Sequence, residues 1–391
     1  WFISDIAGIL AGAVPAGIYT TSAPEQCQYI AGHCDAQVAV VEDAGQLAKF
    51  KKVWGELPQL KAIVMMEGSD SADNVLSWDE LIARAEEVPV EELEQRKQAQ
   101  KADDLCTLIY TSGTTGPPKA VMMTHRNYTW TAQAVIDHVG GFGPDDNVLS
   151  YLPLSHVAEQ LLSIHMPMVI GGTIYCMQDL LLLGDTLREV RPGFFLGVPR
   201  VWEKIQAKIV AGAAANSPLK KKIGLWAKGV GKAGGYAEQR GEGKPFFYGL
   251  ANKLVFSKVK DLLGLDRCKI AVSSTAPIAK DTLEFFLSLG IPICEVYGMS
   301  ECTGPATLCH PGKYRTGFAG YALPGTEIKI AADGEVCMKG PHVMPGYLKN
   351  EEATAETLDD EGWLHSGDIG ELTDDGYLKI TDRKKELIIT A

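Results

Sequence analysis

The chain contains the stretch Tyr110-Thr111-Ser112-Gly113-Thr114-Thr115-Gly116-Pro117-Pro118-Lys119, which directly follows an apolar run. The apolar run predicts a buried strand. Four hydroxyl residues and two glycines then fall within six positions. Glycine takes backbone angles that other residues avoid, so such a loop can turn its N–H groups inward and bind an anion. Lys119 adds a positive charge suited to phosphate.

The alternative interpretation of this stretch is a plain surface turn rich in Gly, Ser and Thr. The position after a buried strand, and the closing Pro-Pro-Lys, favour phosphate binding instead. The stretch is not a Walker loop, because Gly-Lys-[Ser/Thr] is absent at the required spacing. The residues therefore predict a phosphate-binding loop of a different type.

The sequence YTSGTTGPPK resembles the phosphate loop of the adenylate-forming superfamily, which includes acyl-CoA synthetases, aryl-CoA ligases, firefly luciferase and amino-acid adenylation domains. Four further segments are similar to that superfamily, in the same order: YLPLSH (151–156), EVYGMSE (295–301), GWLHSGDIG (362–370) and DRKKELI (382–388). The resemblance covers nearly all of the chain. The segments HRNYTW, VPRVWEKI, SSTAPI and YGMSECTGPATL are most similar to the bubblegum-type long-chain fatty acyl-CoA synthetases.

The pattern of elements predicts an α/β fold. Residues 1–66 alternate helix and strand signals, which is typical of a parallel sheet covered by helices. From Pro305 onward, short β-rich segments separated by glycine and Asp-Gly turns predict a small, distorted antiparallel β-barrel.

The resemblance implies the large N-terminal domain of the adenylate-forming fold. We expect layered α/β subdomains over residues 1–304, a β-barrel subdomain over 305–381, and a hinge over 382–391. The chain begins at Trp1 and stops at Ala391, after an apolar run. By resemblance, we expect truncation at both ends, without part of the large domain and without the small C-terminal domain.

Two sequence patterns predict helix starts. Ser22 and Glu25 have capping-box spacing, as do Ser77 and Glu80. Residues 86–104 are rich in Glu, Gln and Lys, which predicts a solvated helix and a linker to the phosphate loop.

Composition limits the class of protein. The hydrophobic fraction of 46% and the charged fraction of 22% are those of an ordinary globular protein. The net charge of −12 argues against a general nucleic-acid binder. Nine cysteines without a CxxC pair indicate reduced thiols in a cytoplasmic protein. Neither apolar run, near the N-terminus or at 161–176, reaches the ~20 residues of a spanning helix.

Residues 212–260 differ from the rest of the chain. They contain ten Lys or Arg residues and two Glu, for a net charge of +8. Leu219, Ile223, Trp226 and Val230 would form one apolar stripe on a helix. Three interpretations remain open: peripheral contact with an anionic membrane, binding of CoA phosphates, or packing on the chain's own domain with a solvated lysine face.

The resemblance implies a nucleotide site with a metal ion. Tyr297 would stack on adenine, Ser300 would contact the phosphate, and Glu301 would hold Mg²⁺ with Thr111 as a second oxygen ligand. Asp368 would bind both ribose hydroxyls, and Arg383 would reach the ribose or the α-phosphate. The full implied ATP-binding set is Thr111, Ser112, Gly113, Thr114, Thr115, Gly116, Pro117, Pro118, Lys119, Ser274, Thr275, Ala276, Pro277, Glu295, Val296, Tyr297, Gly298, Met299, Ser300, Asp368 and Arg383.

His156 and the segment 274–277 each follow a predicted strand. His156 follows a predicted strand and precedes a predicted helix, where open α/β sheets place ligand sites, although a helix-capping role is the alternative. The resemblance places it beside the acyl group and the phosphate, so Thr111, His156 and Glu301 form the implied catalytic set. Family members often have Gly-Ala-Ala-Pro where this chain has Ser274-Thr275-Ala276-Pro277, which puts the adenine contacts, but not the turn, in doubt.

The resemblance implies a two-step ligase that uses ATP, Mg²⁺ and CoA. A long-chain fatty acid would attack the α-phosphorus of ATP to give acyl-AMP and pyrophosphate, and the CoA thiol would then displace AMP. We expect the chain by itself to adenylate poorly. Other acyl- or aryl-CoA ligases, a luciferase-like adenylating enzyme, and a non-catalytic interaction protein that keeps the fold are the alternatives.

Overall fold

The computed structural model describes residues 1–111 and 116–384. In these residues the α-helices are α1 (Phe2–Leu10), α2 (Pro24–His33), α3 (Ala44–Val53), α4 (Trp78–Ala83), α5 (Val90–Ala99), α6 (His125–Val139), α7 (Val157–Gln160), α8 (Met166–Ile170), α9 (Leu183–Val190), α10 (Pro199–Ala214), α11 (Pro218–Gln239), α12 (Tyr248–Ala251), α13 (Ser257–Leu263), α14 (Lys280–Ser288) and α15 (Glu351–Thr357). Single π-helical turns join α7 to α8 and α12 to α13.

The strands in the same residues are β1 (Val38–Val41), β2 (Ala62–Met65), β3 (Val75–Ser77), β4 (Leu105–Thr111), β5 (Lys119–Thr124), β6 (Asn147–Ser150), β7 (Thr173–Cys176), β8 (Phe194–Leu196), β9 (Ile270–Ser273), β10 (Ile293–Met299), β11 (Gly304–Leu308), β12 (Tyr321–Ala322), β13 (Glu327–Ile330), β14 (Glu335–Lys339), β15 (Leu364–Leu372) and β16 (Leu378–Arg383). None of the helices in the described part of the chain combines the length and apolar content that crossing a membrane requires.

The chain divides into two compact units. The first comprises Trp1–Asn127, Pro153–Val157 and Met344–Ala355, and the second comprises Tyr128–Leu152, Ala158–Val343 and the described residues from Glu356 onward. The α/β fold class predicted from the sequence is confirmed. The division at residues 304 and 381 stays a prediction.

The first unit contains two small sheets. Strands β1, β2 and β3 form a parallel sheet, in which Val38 lies beside Ala62 and Ile63 beside Val75. Helix α3 packs Leu47 and Phe50 onto this sheet. This arrangement confirms the parallel strands predicted for residues 1–66, because strand–helix–strand connections lead to parallel pairing. Strands β4 and β5 form a separate antiparallel pair.

The second unit is built on a seven-stranded sheet with the order β12-β11-β10-β9-β8-β6-β7. The five strands β10, β9, β8, β6 and β7 are parallel to one another. Strand β11 pairs antiparallel with β10, and β12 pairs antiparallel with β11. Its core includes Trp202 and Phe286, whose rings are 5.0 Å apart between centroids and are completely buried. The indole N–H of Trp202 donates to Val272 O at 3.1 Å, so Trp202 is a core residue.

A four-stranded antiparallel sheet, with the order β13-β14-β15-β16, completes the second unit. The register shifts in the β14–β15 and β15–β16 pairs, which makes this sheet irregular. Val336, Met338, Leu364 and Leu378 are fully buried on one side of it. The β-rich texture predicted after Pro305 is therefore confirmed. The first two strands around and after Pro305, β11 and β12, belong to the seven-stranded sheet.

The capping prediction for α2 is wrong. This helix begins one residue later than Ser22 would require, with Ala23 at its N-cap. The backbone N–H of Ala23 donates to Gln26 Oε1 at 2.9 Å, so glutamine supplies the cap. The box at Ser77 and Glu80 is confirmed, with Ser77 N donating to Glu80 Oε2 at 2.7 Å.

Of the apolar stripe predicted for α11, Ile223 and Val230 are half-buried, whereas Leu219 and Trp226 are exposed. The buried positions of this helix are small residues, Ala227, Gly231, Gly234, Gly235 and Ala237. A Cβ on Gly231 would lie 2.1 Å from Ser288 O, and one on Gly235 would lie 2.3 Å from Leu287 Cδ1. The glycines therefore allow α11 and α14 to pack closely.

Candidate nucleotide site

The phosphate-loop segment connects the two strands of an antiparallel hairpin in the first unit. Strand β4 ends at Thr111, which lies directly opposite Lys119, the first residue of β5. The hydroxyl of Thr111 donates to Lys119 O at 3.5 Å. Ser112, Gly113, Thr114 and Thr115 lie outside the described residues. The sequence-predicted lysine and threonine are thus fixed at the base of the loop by strand pairing.

Two tyrosines hold this base. The hydroxyl of Tyr29, on α2, donates to Pro118 O at 3.1 Å. The hydroxyl of Tyr110 lies 2.9 Å from Nδ1 of His33. Burial raises the pKa of Tyr110 and lowers that of His33, so both groups remain neutral near pH 7. Sequence reasoning missed these supports, because α2 precedes the loop by about eighty residues.

Gly116 and Lys119, at the C-terminal end of the loop, differ in their contacts. Gly116 has a φ of +104°, which favours glycine, and a Cβ there would meet no atom of the described residues within 4 Å. The ammonium group of Lys119 lies 4.9 Å from the ring centroid of Tyr347. This cation–π contact restrains the Lys119 side chain.

His156 lies in a short turn of the first unit. Its backbone N–H donates to Pro153 O at 2.9 Å, and burial lowers the pKa of its imidazole, which favours the neutral form at pH 7. Gly17 packs against this turn so closely that a Cβ would lie 2.8 Å from Cα of Ser155. The turn is therefore positioned by tertiary contact as well as by its own sequence.

The second unit contains the remaining predicted residues, many of them at the end of β10. Tyr297 is 9% exposed, and its hydroxyl donates to Asp368 Oδ2 at 2.8 Å. The two residues are 71 positions apart in the sequence. Burial first, and then the Asp368 charge, raise the pKa of Tyr297, so its hydroxyl is a donor at neutral pH. An aromatic ring and a carboxylate acceptor thus lie side by side.

Gly298 follows Tyr297 at a break in the strand register. A Cβ at this position would lie 1.7 Å from Gly304 O, so β10 and β11 approach each other more closely than any other residue allows. On the other side of Tyr297, Glu295 Oε2 accepts from Gly317 N at 2.9 Å. Burial raises the pKa of Glu295.

Glu301 lies in the 3₁₀ turn Ser300–Cys302 that follows β10. It is only 7% exposed. The turn ends at Thr303, which has a φ of +59° and donates its hydroxyl to His342 O at 2.6 Å. A nearly buried carboxylate on a fixed turn suits a hard cation such as Mg²⁺, since carboxylate oxygen is the ligand this ion prefers.

The segment Ser274–Pro277 follows β9, the neighbour of β10. The hydroxyl of Ser274 donates to Val296 O at 3.3 Å, and Thr275 has a φ of +75°. A β-branched residue rarely adopts this backbone conformation. The turn expected from the sequence is therefore present, and the strand pairing brings it beside Val296 and Tyr297.

Asp368 and Arg383 are cross-strand partners on β15 and β16. Arg383 Nε lies 3.5 Å from Asp368 Oδ1, and the arginine side chain is 60% exposed. Of the predicted hinge, residues 385–391 lie outside the described residues.

A buried carboxylate that the sequence reading missed anchors the start of this predicted hinge. Lys384 Nζ lies 2.9 Å from Glu335 Oε2, which also lies 3.2 Å from His365 Nδ1, and Gly367 N donates to Glu335 Oε1. Burial alone would raise the pKa of Glu335, but these partners lower it below its ordinary value. An acidic residue directly after the Asp333-Gly334 turn was the available sequence signal.

We predict that His342 makes the stability of the second unit depend on pH. Its ring is fully buried, stacks 5.5 Å from Trp130, and has no hydrogen-bond partner for either nitrogen among the described residues. Burial lowers its pKa to about 4. In the unfolded chain the histidine pKa is ~6.5, so between pH ~6.5 and ~4 the unfolded chain binds a proton that the folded chain does not. The free energy of unfolding therefore falls by about 2–3 kcal/mol as the pH is lowered through this range.

Urea unfolding of the chain at pH 7 and pH 4.5 measures this loss. His342→Gln should reduce the difference between the two pH values, and His310→Gln, at an exposed position, should leave it unchanged. An identical pH dependence in all three proteins would contradict the prediction.

The family model described as "AMP-binding enzyme" matches residues 1–348. Among curated relatives, the whole chain is 47% identical to the long-chain-fatty-acid–CoA ligase ACSBG2 of Xenopus laevis, covering 55% of that protein. It is 42% identical to ACSBG2 of Homo sapiens, covering 60%, and 42% identical to ACSBG1 of Rattus norvegicus, covering 56%. The chain thus spans little more than half the length of the curated relatives it matches.

Solved structures agree on the fold. The anthranilate CoA ligase AuaEII in complex with anthranoyl-AMP superimposes with a TM-score of 0.71 at 20% identity, covering 96% of this chain and 64% of that one. The N-terminal domain of FACL13 from Mycobacterium tuberculosis gives a TM-score of 0.67 at 20% identity, covering 97% and 82%.

Proposed function

Because the chain belongs to the AMP-binding enzyme family, we propose that the complete protein is a long-chain fatty acid–CoA ligase. It converts a long-chain fatty acid and ATP to acyl-AMP and pyrophosphate, and then transfers the acyl group to CoA with release of AMP. The observation that carries this proposal is identity of 41–47% across the whole chain to proteins named long-chain-fatty-acid–CoA ligase.

The adenosine is held by residues of the second unit. The ring of Tyr297 covers the adenine, because an aromatic face stacks on any base. Asp368 accepts hydrogen bonds from both ribose hydroxyls, which an ionised carboxylate does without rearrangement. The Tyr297–Asp368 hydrogen bond, at 2.8 Å, supports both roles by fixing the ring and the carboxylate relative to each other. Arg383 reaches the ribose or the α-phosphate, and Ser300 donates to a phosphate oxygen.

The charge of the triphosphate is met by a loop and a metal ion. Residues 111–119 hold the phosphates, with Lys119 as the cationic end of the loop. Glu301 would hold Mg²⁺, with the Thr111 hydroxyl as a further oxygen ligand, and the bound ion would neutralise charge on the phosphate oxygens. The position of Glu301 on a fixed turn, and the preference of Mg²⁺ for carboxylate oxygen, support this assignment.

The chemistry needs no nucleophile from the protein. The substrate carboxylate attacks the α-phosphorus, and pyrophosphate leaves. Charge grows on the phosphoryl oxygens in the transition state, so donors fixed before the reaction stabilise that state more than the ground state. His156 lies on the acyl side in this proposal, and its lowered pKa leaves it neutral at pH 7.

The proposal also includes location and partners. The protein works in the cytoplasm with fatty acid and CoA as substrates and no nucleic-acid partner, and it contacts membranes peripherally through residues 212–260. The net charge of −12 supports the absence of a nucleic-acid partner, and the net charge of +8 within 212–260 supports the membrane contact.

ATP–pyrophosphate exchange by the complete protein tests the proposed activity, with acids from acetate to very long chains. Exchange that increases with long chains supports it. A preference for aromatic acids would favour an aryl-CoA ligase, and light emission or O₂ consumption would favour a luciferase-like enzyme. Failure to bind ATP would favour a non-catalytic protein.

We predict that Tyr297→Phe raises the KM for ATP about tenfold, because a hydrogen bond to a charged group contributes about 1.5 kcal/mol and orients Asp368. The adenine-stacking face is kept, so kcat should change less than KM. Tyr175→Phe, at an exposed tyrosine of the same unit, is the control. Equal KM values for the two variants would show that the Tyr297–Asp368 hydrogen bond does not contribute to ATP binding.

A further inference from the structure

The second unit exposes an aromatic–lysine surface, which we define by Leu219, Lys222, Trp226, Phe246 and Phe247. Phe246 is 94% exposed, Leu219 68% and Phe247 52%. The rings of Phe246 and Phe247 lie 5.2 Å apart between centroids, and those of Trp226 and Phe247 lie 6.4 Å apart. The three aromatic side chains therefore form one contiguous exposed group, which is unusual for residues of this size.

This surface is not the side by which α11 packs. Leu219, Lys222 and Trp226 recur at helical spacing and share one face. The helix is held to its own unit by small residues instead, with Ala227 and Gly231 fully or nearly buried. Leu219 and Phe246 therefore take no part in the packing of α11 against α14. They remain exposed and do not cover the chain's own core.

The segment that carries the surface is basic. Lys220, Lys221 and Lys222 are consecutive and exposed, and Lys253 and Lys258 are exposed on the following helical segment. In the described residues, none of these five lysines has an ion-pair partner within 4.0 Å. Exposed aromatic rings and positive charge without ion-pair partners thus occur in one segment of a chain whose net charge is −12.

We infer that the aromatic–lysine surface docks onto an anionic lipid bilayer. Phe246, Phe247 and Leu219 enter the boundary between headgroups and acyl chains, Trp226 lies at the headgroup level, and the lysines contact lipid phosphates and carboxylates. A soluble CoA phosphate would use the lysines alone and would leave the aromatic group exposed. An anionic bilayer offers both an apolar interior and negative headgroups, and so matches both parts of the surface.

This inference names the lipid class and the residues of the membrane contact proposed above. Its test is independent of catalysis, because vesicle binding is measured without ATP, CoA or fatty acid. Failure to bind vesicles would leave the proposed ligase activity standing, and absence of ligase activity would leave vesicle binding standing.

Flotation of the chain with phosphatidylcholine vesicles, with and without about 30% phosphatidylserine, provides the first test. We expect binding to the anionic vesicles that weakens with salt. Lys220→Gln/Lys221→Gln/Lys222→Gln should weaken it by about fivefold per lysine, and Phe246→Ser/Phe247→Ser by tenfold or more. Controls of the same chemistry are Lys52→Gln/Lys204→Gln/Lys379→Gln and, for the apolar change, Leu181→Ser, which is 84% exposed.

Equal binding by the surface variants and their controls would overturn the inference, as would no binding of the unaltered chain to anionic vesicles at low salt. Loss of CoA affinity in the triple-lysine variant with unchanged vesicle binding would assign the lysines to CoA and also overturn it. Circular dichroism confirms that each variant is folded before comparison.

Quenching of tryptophan fluorescence by brominated lipid gives a second readout. We expect anionic vesicles containing brominated lipid to quench the unaltered chain, and Trp226→Phe to remove most of that quenching. Trp54→Phe, in the first unit, should retain it. Quenching that survives Trp226→Phe would show that a different surface faces the bilayer.

Discussion

Glu301→Gln is expected to lower the rate of ATP–pyrophosphate exchange by the complete protein about 10²- to 10³-fold. The substitution keeps the shape of the side chain but removes the charge that would hold Mg²⁺ at the phosphates. Glu301 is nearly buried on a fixed turn, so another side chain cannot easily take its place. The apparent Mg²⁺ requirement should rise together with the loss of rate.

The Mg²⁺ dependence separates this role from a structural one. Glu371→Gln, at an exposed position on β15, is the matched control and should exchange pyrophosphate at the normal rate. Thermal unfolding should show that both variants are folded. A normal exchange rate for Glu301→Gln at low Mg²⁺ would exclude Glu301 as the metal ligand.

Gly298→Ala is expected to destabilise the chain by about 3 kcal/mol or more and to abolish measurable AMP binding. The added Cβ would lie 1.7 Å from Gly304 O and 2.7 Å from Gly304 C. Both atoms belong to the backbone of the neighbouring strand, so no side-chain rotation relieves the contact. The strands must separate, and Tyr297 and Glu301 lie on either side of the affected position.

Urea unfolding and equilibrium dialysis of AMP measure the two effects. Gly212→Ala is the control, because it lies within α10 and its Cβ would meet no atom of the described residues within 4 Å. That substitution should raise stability by up to about 1 kcal/mol. Equal stability of the two variants would show that β10 and β11 tolerate a wider separation than the structure has.

Local patterns predicted most elements because the signals for them lie within a few residues. Strand β4, for example, is the buried apolar strand expected before the phosphate loop. The solvated helix predicted within 86–104 is α5, all of whose residues are exposed. Periodicity and apolar runs specify such elements without reference to the rest of the chain.

Two features depend on contacts that a local pattern does not specify. The cap of α2 depends on which of two neighbouring polar side chains reaches a backbone N–H, and Gln26 rather than Ser22 supplies it. The buried face of α11 depends on the close approach of α14, which only glycine and alanine permit. A hydrophobic stripe predicts burial from side-chain type alone and has no information about the partner surface.

The sequence by itself determined the family and the order of its motifs, because these are carried by short runs such as YTSGTTGPPK and EVYGMSE. Only the tertiary structure decided which side chains meet. Tyr297 and Asp368 touch across 71 positions, and Lys384 reaches the buried Glu335 across 49. Spacing along a chain fixes neighbours on one element, whereas a contact between strands depends on sheet order and register, which no local pattern encodes.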